Sequence, residues 1–146
     1  MSEACEFPLS NATSAEIGDL LDEARTIAVV GLSDRPDRDS YHVADYLKRH
    51  GYRIIPINPN VQAVLGETSF ARLADVHESV DIVDIFRRPE AVPEIVEEAI
   101  ALGAKAIWMQ EGVVHNEAAD RARAAGLRVV MNKCLLKEHA RRQAGS

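Results

Sequence analysis

The sequence predicts an α/β domain: three layers, with a mostly parallel sheet of about five strands between helices. Two observations carry this. Short apolar runs rich in β-branched residues recur along the chain, and the segments between them place apolar residues at helical spacing. The joining loops are short and punctuated by Gly, Pro and Asn, as strands feeding crossover helices require.

The elements follow in order. "SAEIGDLLDEA" (Ser14 to Ala24) reads as a helix that Ser14 can cap, with Ile17, Leu20, Leu21 and Ala24 on one face. "TIAVVG" is a strand apolar enough to be buried on both sides. "SYHVADYLKRHG" is a helix with Tyr41, Val43, Ala44 and Leu47 at helical spacing. Asp39 or Ser40 can cap it, and Gly51 ends it. "YRIIPINP" (Tyr52 to Pro59) and "VDIVDIF" (Val80 to Phe86) are strands. Between them, "VQAVLGETSFARLADVHES" is irregular and has room for a short helix or an extra strand. "PEIVEEAIALG" is a helix with Pro93 in its first turn and Gly103 at its stop. "AKAIWMQ" is a strand, "NEAADRARAAG" a helix opened by Asn116, "LRVVM" the last strand and "LLKEHARR" a closing helix. The whole is a Rossmann-like domain over residues 14–142, with a flexible tail at 1–13 and a short one at 143–146. Ligands of such sheets lie beyond the carboxyl ends of the strands.

Bulk properties narrow the function. The 146 residues suffice for one core; 47% are hydrophobic and 27% charged, as in a globular protein. A net charge of -6 argues against a nucleic-acid or membrane-surface binder. No apolar run approaches the ~20 residues that span a bilayer, and the start lacks a signal-peptide pattern. Cys5 and Cys134 are the only cysteines, with Cys5 in the tail, so no structural disulfide is expected and a cytoplasmic location fits.

The loops after the strands are "GLSDRPDRD", "NPN", "RRPE", "EGVVH" and "NKC". They concentrate Arg35, Arg38, Arg87, Arg88 and Lys133, with Lys137 close behind, while the helices carry much of the acid. Arginine at the ligand end of an acidic protein points to an anionic ligand; solvated loop charge is the plainer alternative. The first loop has one glycine, Gly31, and matches neither common phosphate fingerprint, although a helix N-terminus with Ser33 and Ser40 can still receive phosphate. The second strand ends without the carboxylate that NAD binders use, presenting Asn58 and Asn60 instead. That favours a phosphorylated ribose, as in NADP or coenzyme A.

Between these two, the stretches "VVGLSDRPDRDSYHVADYL", "GYRIIPINPN", "LGETSFARLADV", "VDIVDIFRRPE", "IWMQEGVVHNEAADRARAAGL" and "VVMNKCLLKEH" resemble the single-domain coenzyme A-binding proteins, which are similar to the coenzyme A-binding domain of the succinyl-CoA synthetase alpha subunit. The resemblance runs from about Thr26 to Arg142. It implies that Gly31, Leu32, Ser33, Asp34, Arg35 and Pro36 receive phosphate, with Arg38, Ser40 and Tyr41 nearby. It puts Pro59 at the ligand, Phe86, Arg87, Arg88 and Pro89 around the adenine, Met109, Gln110, Glu111 and Gly112 against the nucleotide, and Asn132, Lys133 and Cys134 in the last loop. Two departures stand out. Asn60 and Val61 occupy the place of a phosphate-binding lysine of the synthetase, and the synthetase's second domain is missing, so ligase activity is not implied.

The chemistry-bearing residues give no catalytic assignment. Cys134, beside Lys133 and near His139, is either a thiol activated by a cation or a small packed residue. The five histidines form no metal pattern, though His42 can face the ligand. Asp81 and Asp84 fall on opposite faces of a strand, with Asp84 expected to bond backbone, and Trp108 is expected in the core. The preferred reading is a non-catalytic protein that holds coenzyme A or acyl-CoA. The alternatives are an NADP- or acyl-CoA-dependent enzyme, or a redox or acyl-CoA sensor using Cys134. A homodimer or a protein partner is left open.

Overall fold

The computed structural model describes residues 6–145. α1 (Ser14–Glu23) leads into β1 (Thr26–Val30), α2 (Asp39–Arg49) and β2 (Arg53–Ile57). A hairpin, β3 (Ala63–Val64) and β4 (Glu67–Thr68), and a 3-10 turn (Leu73–Asp75) precede β5 (Ile82–Ile85). The irregular segment thus holds both a short helical turn and extra strands. A second 3-10 turn (Pro89–Ala91) opens into α3 (Val92–Leu102). Then come β6 (Ala106–Met109), α4 (Asn116–Ala124), β7 (Arg128–Val130) and α5 (Leu135–Ala144), which includes Gln143 and Ala144.

The five main strands order as β2-β1-β5-β6-β7, and every neighbouring pair is parallel. The chain steps from β1 out to β2, then crosses back over β1 to β5. Strand order therefore reverses between β1 and β5, which opens a crevice at their carboxyl ends. Alternate residues face opposite layers. Ile27, Val29, Ile82 and Trp108 pack under α1, α2 and α5; Ala28, Val30, Val83, Ile85 and Ile107 pack under α3 and α4. Burial on both faces explains why the strands read as unbroken apolar runs. Pro56 is tolerated because β2 is an edge strand; its carbonyl accepts from Phe70 N at 3.0 Å.

Three helix starts differ from expectation. Thr13, not Ser14, caps α1: its hydroxyl accepts from Glu16 N at 3.1 Å while Glu16 accepts from Thr13 N at 2.7 Å. His115, not Asn116, caps α4 through Nδ1, because the cap needs extended backbone and Asn116 is already helical. Neither Asp39 nor Ser40 caps α2; both lie inside the helix, and Arg38 holds the cap position without a side-chain bond.

Residues ahead of α1 contact the body. Asn11 pairs through its side chain with both Met131 N and Met131 O at 2.9 Å, and Leu9 N donates to Asn116 Oδ1. Cys5 lies outside the described residues.

Candidate functional site

Gly31 answers why the first loop needs only one glycine. Its φ is +88°, and a Cβ there would overlap the Phe86 carbonyl oxygen and stand 3.0 Å from Arg87 Cδ. The absent side chain lets the ends of β1 and β5 meet across the strand-order reversal. Beyond Gly31 the loop is pinned from within. Ser33 N donates to Ser40 Oγ, and Arg35 N donates to Ser33 Oγ, each at 3.0 Å. No side chain caps α2, and its N-terminal turn borders a groove of about 490 Å³ lined by Gly31, Ser33, Arg35, Arg38, Ser40 and Phe86 together with the carboxylates Asp37 and Asp39.

A larger recess of about 750 Å³ continues between α2 and α5. Asp39, His42 and Val43 come from α2, and Phe86 to Pro89 from the loop after β5. Gln110 to Val113 follow β6, and Cys134, Leu136 and Lys137 border α5. A third, about 140 Å³, lies toward α3 and includes Ile57, Pro59 and Arg87. Phe86 borders the first two and Arg87 the last two, so the three lie side by side at the strand ends.

The cations divide sharply. Twelve of the seventeen Lys and Arg residues pair with a carboxylate. Arg25 donates instead to the carbonyls of Asp22 and Ala24. Among the described residues, the remaining four, Arg38, Arg87, Arg88 and Lys133, have no ion pair, and all follow the ends of β1, β5 or β7. Arg35 makes only an exposed 3.8 Å contact with Asp37.

The far loops are tied together. Asn132, at φ 60°, accepts from Gly112 N at 2.8 Å; Lys133 N donates to Met109 O, and buried Trp108 donates Nε1 to Lys133 O at 2.9 Å. Lys137 and Glu111 form an ion pair at 3.0 Å between α5 and the loop after β6. Beneath the recess, Asp84 is fully buried. It bonds the Gln110 side chain, 2.7 Å from Oδ1 to Nε2, rather than backbone, because the strand's own backbone is committed to the sheet. Burial pushes its carboxyl up to about 7, opposed by that bond. Asp81 takes the backbone role, accepting from Arg25 N and Thr26 N.

Cys134 lines the recess, but burial pushes its thiol up, outweighing N–H groups of Lys137 and Leu136. Of the two readings open from sequence, the small packed residue fits the buried Cys134 better than a thiol activated by Lys133. His139 is turned away, with Nδ1 2.9 Å from Tyr46 Oη.

The other expected site residues sort by geometry. Leu32 and Met109 are enclosed in the core and line none of the three recesses. Asn58 is a clamp: Nδ2 donates to Leu32 O and Oδ1 accepts from Asn60 N. Asp34, Pro36, Tyr41, Asn60, Asn132 and Lys133 do not line the three recesses. Val43, Val113 and Leu136 were missed because apolar residues of this kind read as packing rather than as site lining. Among the described residues, no helix is long and apolar enough to cross a membrane, and no His, Cys, Asp and Glu cluster could hold a metal.

Residues 25–140 match the model of the CoA binding domain family, so the chain belongs to that family. It is 39% identical to the YneT protein of Bacillus subtilis (strain 168) over 132 residues, covering 90% of this chain and 98% of that one. It is 28% identical over 83 residues to an ADP-forming acetate–CoA ligase of Archaeoglobus fulgidus, covering 56% of this chain and 12% of the ligase. A hypothetical protein from Pyrococcus horikoshii OT3 superposes with a TM-score of 0.87 at 38% identity, covering 97% of this chain and 98% of that structure.

Proposed function

We propose that this protein binds coenzyme A, free or acylated, across the carboxyl ends of its sheet and holds it without catalysing its conversion. The observation that carries this reading is the placement of unpaired cations. Elsewhere among the described residues Lys and Arg pair with carboxylates, or in Arg25 with backbone carbonyls, whereas Arg38, Arg87 and Arg88, which border the recesses, are left for a ligand. Exposed cations without partners gain most from phosphate, with arginine donating in pairs.

The residues fit the ligand in kind. The open N-terminus of α2 and Arg38 suit one phosphate group, and Arg87 and Arg88 suit another at the strand-order reversal. Phe86, beside Gly31, offers a flat face for the base. The 750 Å³ recess, walled by Val43, Phe86, Val113 and Leu136, suits an uncharged arm. Binding rather than turnover is supported by a thiol held protonated by burial and by His139 being engaged with Tyr46.

The test is calorimetric titration of reduced, ligand-stripped protein with coenzyme A, dephospho-coenzyme A, NADP and NAD. Saturable coenzyme A binding, weakened without the 3′-phosphate, is expected. Binding of NADP but not coenzyme A overturns the reading and redirects the search to an oxidoreductase.

A further inference from the structure

Gln110 follows β6 directly and borders the large recess while only 4% exposed. The two ends of its amide have different surroundings. Nε2 donates to Asp84 Oδ1 at 2.7 Å. Oε1 has no hydrogen bond to the protein among the described residues. It is not sealed away either, since Asp84 Oδ2 is the one buried side-chain polar atom there without a partner. Oε1 therefore opens onto the recess.

Asp84 decides which way the amide points. An ionised carboxylate only accepts, so the NH₂ end must face it and the carbonyl end must face the recess. A proton on the unpartnered Oδ2 leaves Oδ1 an acceptor and the same direction in force. The result is a fixed, uncharged acceptor in a recess that shares charged residues such as Asp39 and Glu111 with an apolar wall of Val43, Phe86, Val113 and Leu136. An acceptor so placed selects a ligand segment that is mostly apolar but carries an N–H. The arm of coenzyme A contains two secondary amides.

We propose that Gln110 is a specificity-determining residue that accepts a hydrogen bond from a secondary amide N–H of the ligand's arm, and that Asp84 is the positioning residue that fixes its orientation. This rests on the coenzyme A reading above and assigns part of the ligand to part of the site.

The experiment titrates wild type, Gln110→Met, Asp84→Asn and Asp84→Leu, at about pH 8 so that Asp84 is largely ionised. Two probes are used: coenzyme A, and adenosine 3′-phosphate 5′-diphosphate, which keeps the phosphates and lacks the arm. Wild type should prefer coenzyme A. Gln110→Met should weaken coenzyme A by about fivefold to tenfold, the value of one hydrogen bond, and leave the armless nucleotide unchanged. Asp84→Leu should behave like Gln110→Met. Asp84→Asn, whose amide oxygen can still accept from Nε2, should keep most of the preference. Unchanged binding of the armless probe also shows that each variant is folded. Should Asp84→Leu fail to fold, Gln110→Met alone decides the matter. Equal weakening of both probes in Gln110→Met, no weakening of either, or no wild-type preference for coenzyme A would overturn the proposal. Failure of wild type to bind either probe would overturn the coenzyme A reading itself.

Discussion

Replacing Asp84 by asparagine removes the one fully buried carboxyl among the described residues. Its folded-state pKa stands at about 7 against an ordinary value of 3.8, and burial is the cause. One pKa unit corresponds to about 1.4 kcal/mol, so ionising Asp84 inside the fold costs on the order of 4 kcal/mol above pH 7. The sign follows from proton counting. As pH rises past 3.8 the unfolded chain loses this proton, while the folded chain keeps it until about 7. The folded state binds more protons in that window, so Asp84's contribution to stability falls with rising pH and levels off above it. An asparagine side chain cannot ionise. The stability of the Asp84→Asn variant relative to wild type should therefore rise by about 1.4 kcal/mol per pH unit across the window, then plateau. An amide NH₂ in place of the unpartnered oxygen adds a buried donor that costs about 1 to 3 kcal/mol, which offsets the whole curve without changing its slope. Urea unfolding of both ligand-free proteins from about pH 5 to pH 8.5 measures the difference. A difference that stays constant, or that shrinks as pH rises, refutes the account of a carboxyl held neutral by burial.

Other predictions concern the strand ends. Arg38→Ala and Arg87→Ala should each weaken coenzyme A roughly tenfold or more and flatten its salt dependence. Urea midpoints should not move, because neither arginine has an ion pair to lose. Gly31→Ala combines a positive φ with overlap on the Phe86 carbonyl; it should cost about 2 kcal/mol or more in unfolding free energy. Cys134 should alkylate more slowly than a free thiol at about pH 8, since burial raises its pKa, and coenzyme A should slow it further.

The layers of the fold were readable because each strand is buried on both sides and each helix on one, so apolar runs and apolar stripes map directly onto elements. Helix caps were less legible. Thr13, Ser14, His115 and Asn116 are all competent acceptors by type, and only backbone dihedrals decide which holds the cap. The strand-end cations could be listed from sequence, but their lack of partners could not. Arg87 and Arg121 look alike on the page, and only the fold sets Arg121 2.8 Å from Glu97. Asp84 was hardest. A carboxylate in an apolar strand could as easily have bonded backbone, and its link to Gln110 depends on the β5–β6 register that puts the two residues on one face.

The most direct measurement is a crystal structure of the complex with coenzyme A. The account predicts a phosphate group on the first-turn N–H groups of α2 beside Arg38. It places a second within reach of Arg87 or Arg88, and the arm in the recess over Gln110. A ligand seated away from the carboxyl ends of β1 and β5, or one whose phosphates ignore these cations, would contradict it.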